Sequence, residues 1–160
     1  TPPLLAAFKL AKALRLYNYF HPLIPATQRR KTQFESYDQL FKRWRTKQPF
    51  KLFSDSILYN FITSNFDQQS DHVSLKFPVN LEVTIYKTNG SIDQFIWNNL
   101  NKITANIIGI AAESSNTFFK GARKKIQPFC KSFITIPNTT HFLPFEVPNE
   151  VQHIINNGCS

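Results

Sequence analysis

His141 stands in the stretch IPNTTHFLPFEVPNEVQHII, where an apolar run ends in a turn and a helix is predicted to follow with proline in its first turn. An imidazole can take and return a proton near neutral pH, so a histidine at such a junction is a candidate base. The alternatives are a metal ligand or a loop histidine bonded to backbone. Metal binding has little support. No two of the four histidines share helical spacing with a carboxylate, and Cys130 and Cys159 form no paired-cysteine motif. His21, His72 and His153 read as ordinary surface or capping residues. Glu146 reads as structural, a carboxylate near the positive end of the last helix.

The elements that would position His141 fall into two regions. Residues 1–90 read as mostly helical. Apolar residues recur at helical spacing from Leu4 to Leu16, SYDQLFKRW opens on a serine and repeats Tyr37, Leu40, Phe41 and Trp44, and SDSILYNFITSNF predicts a third helix. DHVSLKF alternates as a short extended segment, while VNLEVTIYKT fits strand or helix by its period. Residues 91–160 change character. SIDQFIWNNLNKI predicts a helix, NIIGIAA a strand buried on both faces, NTFFKGARKKIQPF a helix, SFITIP a second buried strand, and PNEVQHIIN a final helix. Strand–helix–strand–helix order implies parallel α/β structure. Two parallel strands do not make a sheet that stands by itself, so these strands call for neighbours that the chain does not supply.

Composition sets the outer limits. At 160 residues, 42% hydrophobic and 18% charged, the chain can bury one ordinary core. No apolar run reaches membrane-spanning length, and the opening segment lacks the continuous apolar core of a signal peptide. Residues 1–51 carry eleven Lys/Arg against two acids, while residues 52–160 carry eight of each sign, so the whole formal charge of +9 lies in the first third. Such asymmetry fits an anionic partner or a solvated helical face. The chain starts at threonine and contains no methionine, which points to a processed or trimmed chain or a piece of something longer.

The strand, helix, strand, His141 loop and Pro148 helix resemble the last part of an α/β-hydrolase, and HFLPFEVPNEV resembles that superfamily's catalytic-histidine segment. Earlier residues resemble the helical cap of its lipase/esterase-like branch, including fungal peroxisomal lipase-like proteins. That likeness rests on the spacing of Arg29-Arg30, Phe34, Trp44, Pro49-Phe50, Leu58-Tyr59, Leu75, Pro78, Glu82 and Tyr86. The implied fold is α/β: a helical cap over residues 1–90, then the last two strands and helices of an α/β-hydrolase sheet over residues 91–160, an incomplete fold.

The resemblance implies that His141 is the general base of a serine hydrolase. The family's serine lies in G-x-S-x-G, and Gly90, Gly109, Gly121 and Gly158 flank no serine at that spacing, so the nucleophile is missing from this chain. Many members carry an aspartate in the loop after the strand matched by NIIGIAA. Ser115 occupies that position here, and nearby Glu113 is the candidate acid. The implied substrate is an ester of an apolar acyl group, with no cofactor. The serine would come from a missing N-terminal half or a partner chain, and this chain alone would be inactive. The expected setting is intracellular, peroxisomal or cytoplasmic. The alternative is a non-catalytic, hydrolase-derived module that binds an anionic membrane surface or a protein partner. Nucleic acid ranks last: FKRWRTKQPFK mixes basic and aromatic residues as single-strand binders do, but at the spacing of a helix.

Overall fold

The computed structural model describes Leu10, residues 23–88 and residues 92–158. The helix expected over Leu4 to Tyr19 lies outside these apart from Leu10, as do His21 and Cys159. Two compact units form, each from separate stretches of chain. One combines the chain up to Tyr37 with Ser64–Asn99, and the other combines Asp38–Thr63 with Leu100–Ser160.

In the first unit, α1 (Leu23–Gln28) packs Ile24 against Val79, Val83 and Tyr86 of α4 (Val79–Thr88). Positions 79, 83 and 86 share one face of a helix, which decides the ambiguous VNLEVTIYKT in favour of helix. Arg30 ties the same two elements by a bidentate pair to Glu82, at 2.6 and 3.0 Å. Tyr86 donates its hydroxyl proton to Glu82 at 2.9 Å; burial, and then this bond to a carboxylate, raise the phenol above its ordinary value. A small antiparallel sheet of β1 (Gln33–Phe34), β2 (Phe66–Gln68) and β3 (Val73–Leu75) places β3 in the middle. The rings of Phe34 and Phe66 meet edge to face across it. The first unit ends with α5 (Ile92–Asn99).

In the second unit, α2 (Tyr37–Arg45) continues beyond the boundary at Tyr37, and α3 (Asp55–Asn65) starts after Ser54. The Ser54 hydroxyl accepts the Ile57 N–H at 3.3 Å and its carbonyl accepts the Leu58 N–H, the pattern of a helix-starting serine. β4 (Ile108–Ala112) and β5 (Ser132–Ile136) run parallel, with Ile110 beside Ile134 and Ala112 beside Ile136. Between them lies α6 (Lys120–Ile126); after them come α7 (Leu143–Glu146) and α8 (Pro148–Gly158). Val147, Val151 and Ile154 repeat at helical spacing, so they lie together on Ile110, Ala112, Ile136 and Leu143. The other face carries Phe133, whose ring occupies the space a Cβ at Gly109 would need and approaches Phe118 at 6.3 Å.

β5 departs from the expected buried strand. Only Ile136 is buried, and Ser132, Ile134 and Thr135 are exposed. In β4, Ala111 and Ala112 are buried while Ile108 to Ile110 are half-buried. Among the described residues this sheet has two strands and no lateral neighbours to cover its edges, so apolar composition does not translate into full burial.

Candidate functional site

The loops at the carboxyl ends of β4 and β5 converge, and each sequence-predicted site residue lies on one of them. Backbone bonds extend the pairing past the strand ends: Glu113 N–H donates to Ile136 O at 3.0 Å and Ser114 N–H to Thr139 O at 3.0 Å. Asn138 takes a positive φ of 56°, a conformation asparagine tolerates better than most residues. Its N–H donates to the Glu113 carboxylate at 3.0 Å. Thr139, buried to 3% exposure, returns its hydroxyl to Ile136 O at 2.7 Å.

The residue before His141 is fixed most tightly. Thr140 donates its N–H to Glu146 at 2.7 Å and its hydroxyl to the other oxygen of the same carboxylate. His141 itself is exposed, with its ring centroid 4.4 Å from that of Phe142. Among the described residues no carboxylate hydrogen-bonds to its ring. Glu113 is engaged with Asn138, and Ser115 caps its own turn by accepting the Phe118 N–H at 3.1 Å. His72 pairs with Asp71 at 2.6 Å and His153 with Asn157 at 2.9 Å; the His72 bond holds the Asp71 carboxyl below its ordinary range. Among the described residues no group of three His, Cys, Asp or Glu side chains could hold a metal ion, and no helix is long and apolar enough to cross a membrane.

Beside His141 lies a cluster of rings. Trp44 stacks on Phe50 at 4.4 Å, Phe53 stacks on Phe145 at 5.5 Å, and Phe142 lies 5.9 to 6.4 Å from Phe50, Phe53 and Phe61. Trp44 packs on Phe50 and Phe61 of the helical region, while Phe50 and Phe53 also meet Phe142 of the His141 segment. Arg45 holds their turn, donating to Phe53 O at 2.6 Å and pairing with Asp55 at 3.1 Å.

Three residues with clear positioning roles were not recognised in the sequence as such: Thr140, Glu146 as its acceptor, and Arg123. Arg123 spans the β4–α6 loop, donating to Phe118 O at 2.6 Å and Ala112 O at 2.7 Å. In sequence it is one cation among several in KGARKKI. Only its burial against loop carbonyls sets it apart.

The fold of the chain is shared with larger solved structures. The peroxisomal α/β-hydrolase Lpx1 of Saccharomyces cerevisiae superposes with a TM-score of 0.68 at 18% identity, over 85% of this chain and 38% of that one. The chain has part of the α/β-hydrolase fold. The likeness extends to E-2-(acetamidomethylene)succinate hydrolase (TM-score 0.64, 12% identity, 81% of this chain and 47% of that one). It also extends to the Mycobacterium tuberculosis esterase Rv0045c (0.62, 12%, 98% and 50%). The chain therefore spans half or less of each of these three structures. No protein-family model and no curated protein sequence matches it. In open α/β sheets, chemistry is generally placed at the carboxyl ends of the strands. Here that end holds His141 and Glu113.

Proposed function

We propose that the chain supplies the helical cap and the catalytic-histidine segment of a serine α/β-hydrolase acting on an ester of an apolar acyl group. The observation that carries this reading is the His141 loop. It leaves the carboxyl end of a parallel strand, it is held by Thr139 and by the Thr140–Glu146 bonds, and it presents an exposed imidazole beside aromatic rings. In this reading His141 takes the proton from a serine hydroxyl as that oxygen attacks the ester carbonyl, then returns it to the departing alcohol. The serine lies in polypeptide outside residues 1–160, since the chain has no G-x-S-x-G. The orienting acid is Glu113 after a rotation that frees it from Asn138, or a carboxylate of the same outside polypeptide. Half-buried Trp44, Phe50, Phe61 and Phe142 form an apolar wall suited to an acyl chain.

The test is ester turnover by the longest native form of the polypeptide. His141→Ala is expected to lower kcat by about 10⁴-fold or more while folding is retained. Residues 1–160 alone are expected to be inactive; turnover by them through a covalent acyl intermediate would overturn the reading.

A second reading, a non-catalytic module that binds anionic lipid or a protein partner, draws on the +9 charge of residues 1–51 and on the absence, among the described residues, of a carboxylate bonded to His141. It predicts vesicle binding that weakens with salt and is indifferent to His141→Ala.

A further inference from the structure

The neutral total of residues 52–160 conceals a segregated stretch. Between Glu113 and Glu146 the chain carries five cations, Lys120, Arg123, Lys124, Lys125 and Lys131, and no acid. Three of these cations border one cleft. Lys120, Arg123, Lys124 and Gln127 follow the i, i+3, i+4, i+7 spacing of a single helical face along α6 and its first residue beyond. Phe133 and Thr135 stand two apart on β5 and so share one face of that strand. The space that these six side chains line is about 250 Å³.

Arg123 is the fixed member of the set. Its Nε and Nη2 are committed to the carbonyls of Phe118 and Ala112, and its guanidinium lies 5.9 Å from the Phe118 ring centroid. A side chain held in this way has lost its freedom before any ligand arrives. Its Nη1 makes no hydrogen bond among the described residues, so two of the five guanidinium N–H donors stay available. Lys120 and Lys124 are exposed and, among the described residues, join no ion pair. One exposed lysine is ordinarily just solvated. Three cations around one concavity, in a stretch without an acid, repel one another and raise the local potential, and a bound anion relieves that repulsion.

We propose that the cleft between α6 and β5 binds a phosphate monoester group. Charge and donor count select it over a carboxylate. A monoester carries nearly two negative charges at neutral pH and three acceptor oxygens. A carboxylate carries one charge and two oxygens, which a single arginine fork satisfies. Here two lysines, the unused Nη1 of Arg123, the Gln127 amide and the Thr135 hydroxyl border the space, and the Phe133 ring gives the esterified group an apolar surface. Such a group exists both in water-soluble esters and in the headgroup of phosphatidic acid. The site goes beyond the hydrolase reading and shares no residue with the His141 loop.

Calorimetric titration of the longest native form with glycerol 3-phosphate, at fixed ionic strength, tests this. The expected result is saturable binding that Lys120→Gln/Lys124→Gln weakens by about tenfold or more. Lys42→Gln/Lys47→Gln, which removes two exposed cations from residues 1–51, should change it by less than about twofold. Equal weakening by both pairs would reduce the effect to overall charge and overturn the proposal, as would the absence of saturable binding. Malonate, a dianion built from carboxylates, should bind at least about tenfold more weakly, and equal affinity would overturn the assignment to phosphate. Sedimentation with phosphatidylcholine vesicles containing phosphatidic acid, lost in Lys120→Gln/Lys124→Gln, assigns the group to a lipid headgroup. Glycerol 3-phosphate binding without vesicle binding assigns it to a water-soluble ester. His141→Ala keeps the two readings apart, since it removes ester turnover on the hydrolase reading and leaves glycerol 3-phosphate binding intact.

Discussion

Glu146 accepts two hydrogen bonds from Thr140, one from the backbone N–H at 2.7 Å and one from the hydroxyl, and so anchors the peptide that leads directly into His141. The two residues stand on either side of the histidine in sequence. Their bond closes the His141 loop onto the start of the last helical stretch, which turns an exposed imidazole into one with a fixed base.

Removing that anchor should loosen the loop without dissolving the fold. Hydrogen bonds to an ionised acceptor contribute about 1.5–3 kcal/mol each, less where solvent competes. Glu146→Ala is expected to cost about 2 kcal/mol in urea unfolding and to speed exchange of the Thr140 amide. Glu146→Gln, which can still accept one bond, should cost less. Unchanged Thr140 exchange in Glu146→Ala would show that the loop is held by other contacts.

The ring cluster makes a stability prediction with a built-in contrast. Phe53 is 1% exposed and Phe145 38% exposed, although the two rings stack. Phe53→Ala is expected to cost about 3–5 kcal/mol, the usual range for a buried aromatic. Phe145→Ala should cost clearly less. Equal losses in denaturant titrations would mean that Phe145 is buried in solution.

Gly109 and Phe133 should be coupled. A Cβ at position 109 meets the Phe133 ring, so Gly109→Ala is expected to destabilise by about 1–3 kcal/mol through overpacking. In a Phe133→Ala background the added methyl has room, and the penalty should shrink. A double-mutant cycle measures this directly, and additive effects would refute the contact.

Tyr86 gives a pH signature. Its phenol is raised in the folded chain by burial and then by its bond to Glu82, while the unfolded phenol titrates near pH 10. The contribution is therefore fully present below that unfolded value and is lost as pH rises through the higher folded one. Wild-type stability should fall above about pH 10 from this source, and Tyr86→Phe should remove that component. Parallel stability curves for the two proteins between pH 8 and 11 would sink the assignment.

Much of the fold could be read from residue pattern because the main helices carry their own signals. Ser54 starts α3, Pro148 opens α8, and Val147, Val151 and Ile154 mark its buried face. VNLEVTIYKT resisted because its β-branched residues favour a strand while its contacts to Ile24 sit at helical spacing. β1 and β2 escaped notice since two or three residues show no period, and β1 is distant in sequence from its partner β3. At the site, the type of residue at position 141 and its place after a strand were legible. The bond between Glu113 and Asn138 was not, because it depends on one residue's left-handed backbone.

The interleaved units have a consequence for synthesis. The chain passes from the first unit to the second at residue 38, returns at residue 64, and leaves again at residue 100. Phe50, Phe53 and Phe61 are made early, yet their ring partners Phe142 and Phe145 come near the end. A nascent chain leaving the ribosome must therefore carry bare aromatic surface through the translation of residues 64–99 of the first unit and the following stretch of the second up to Phe142. That is a long window in which chaperones can bind and premature aggregation can compete.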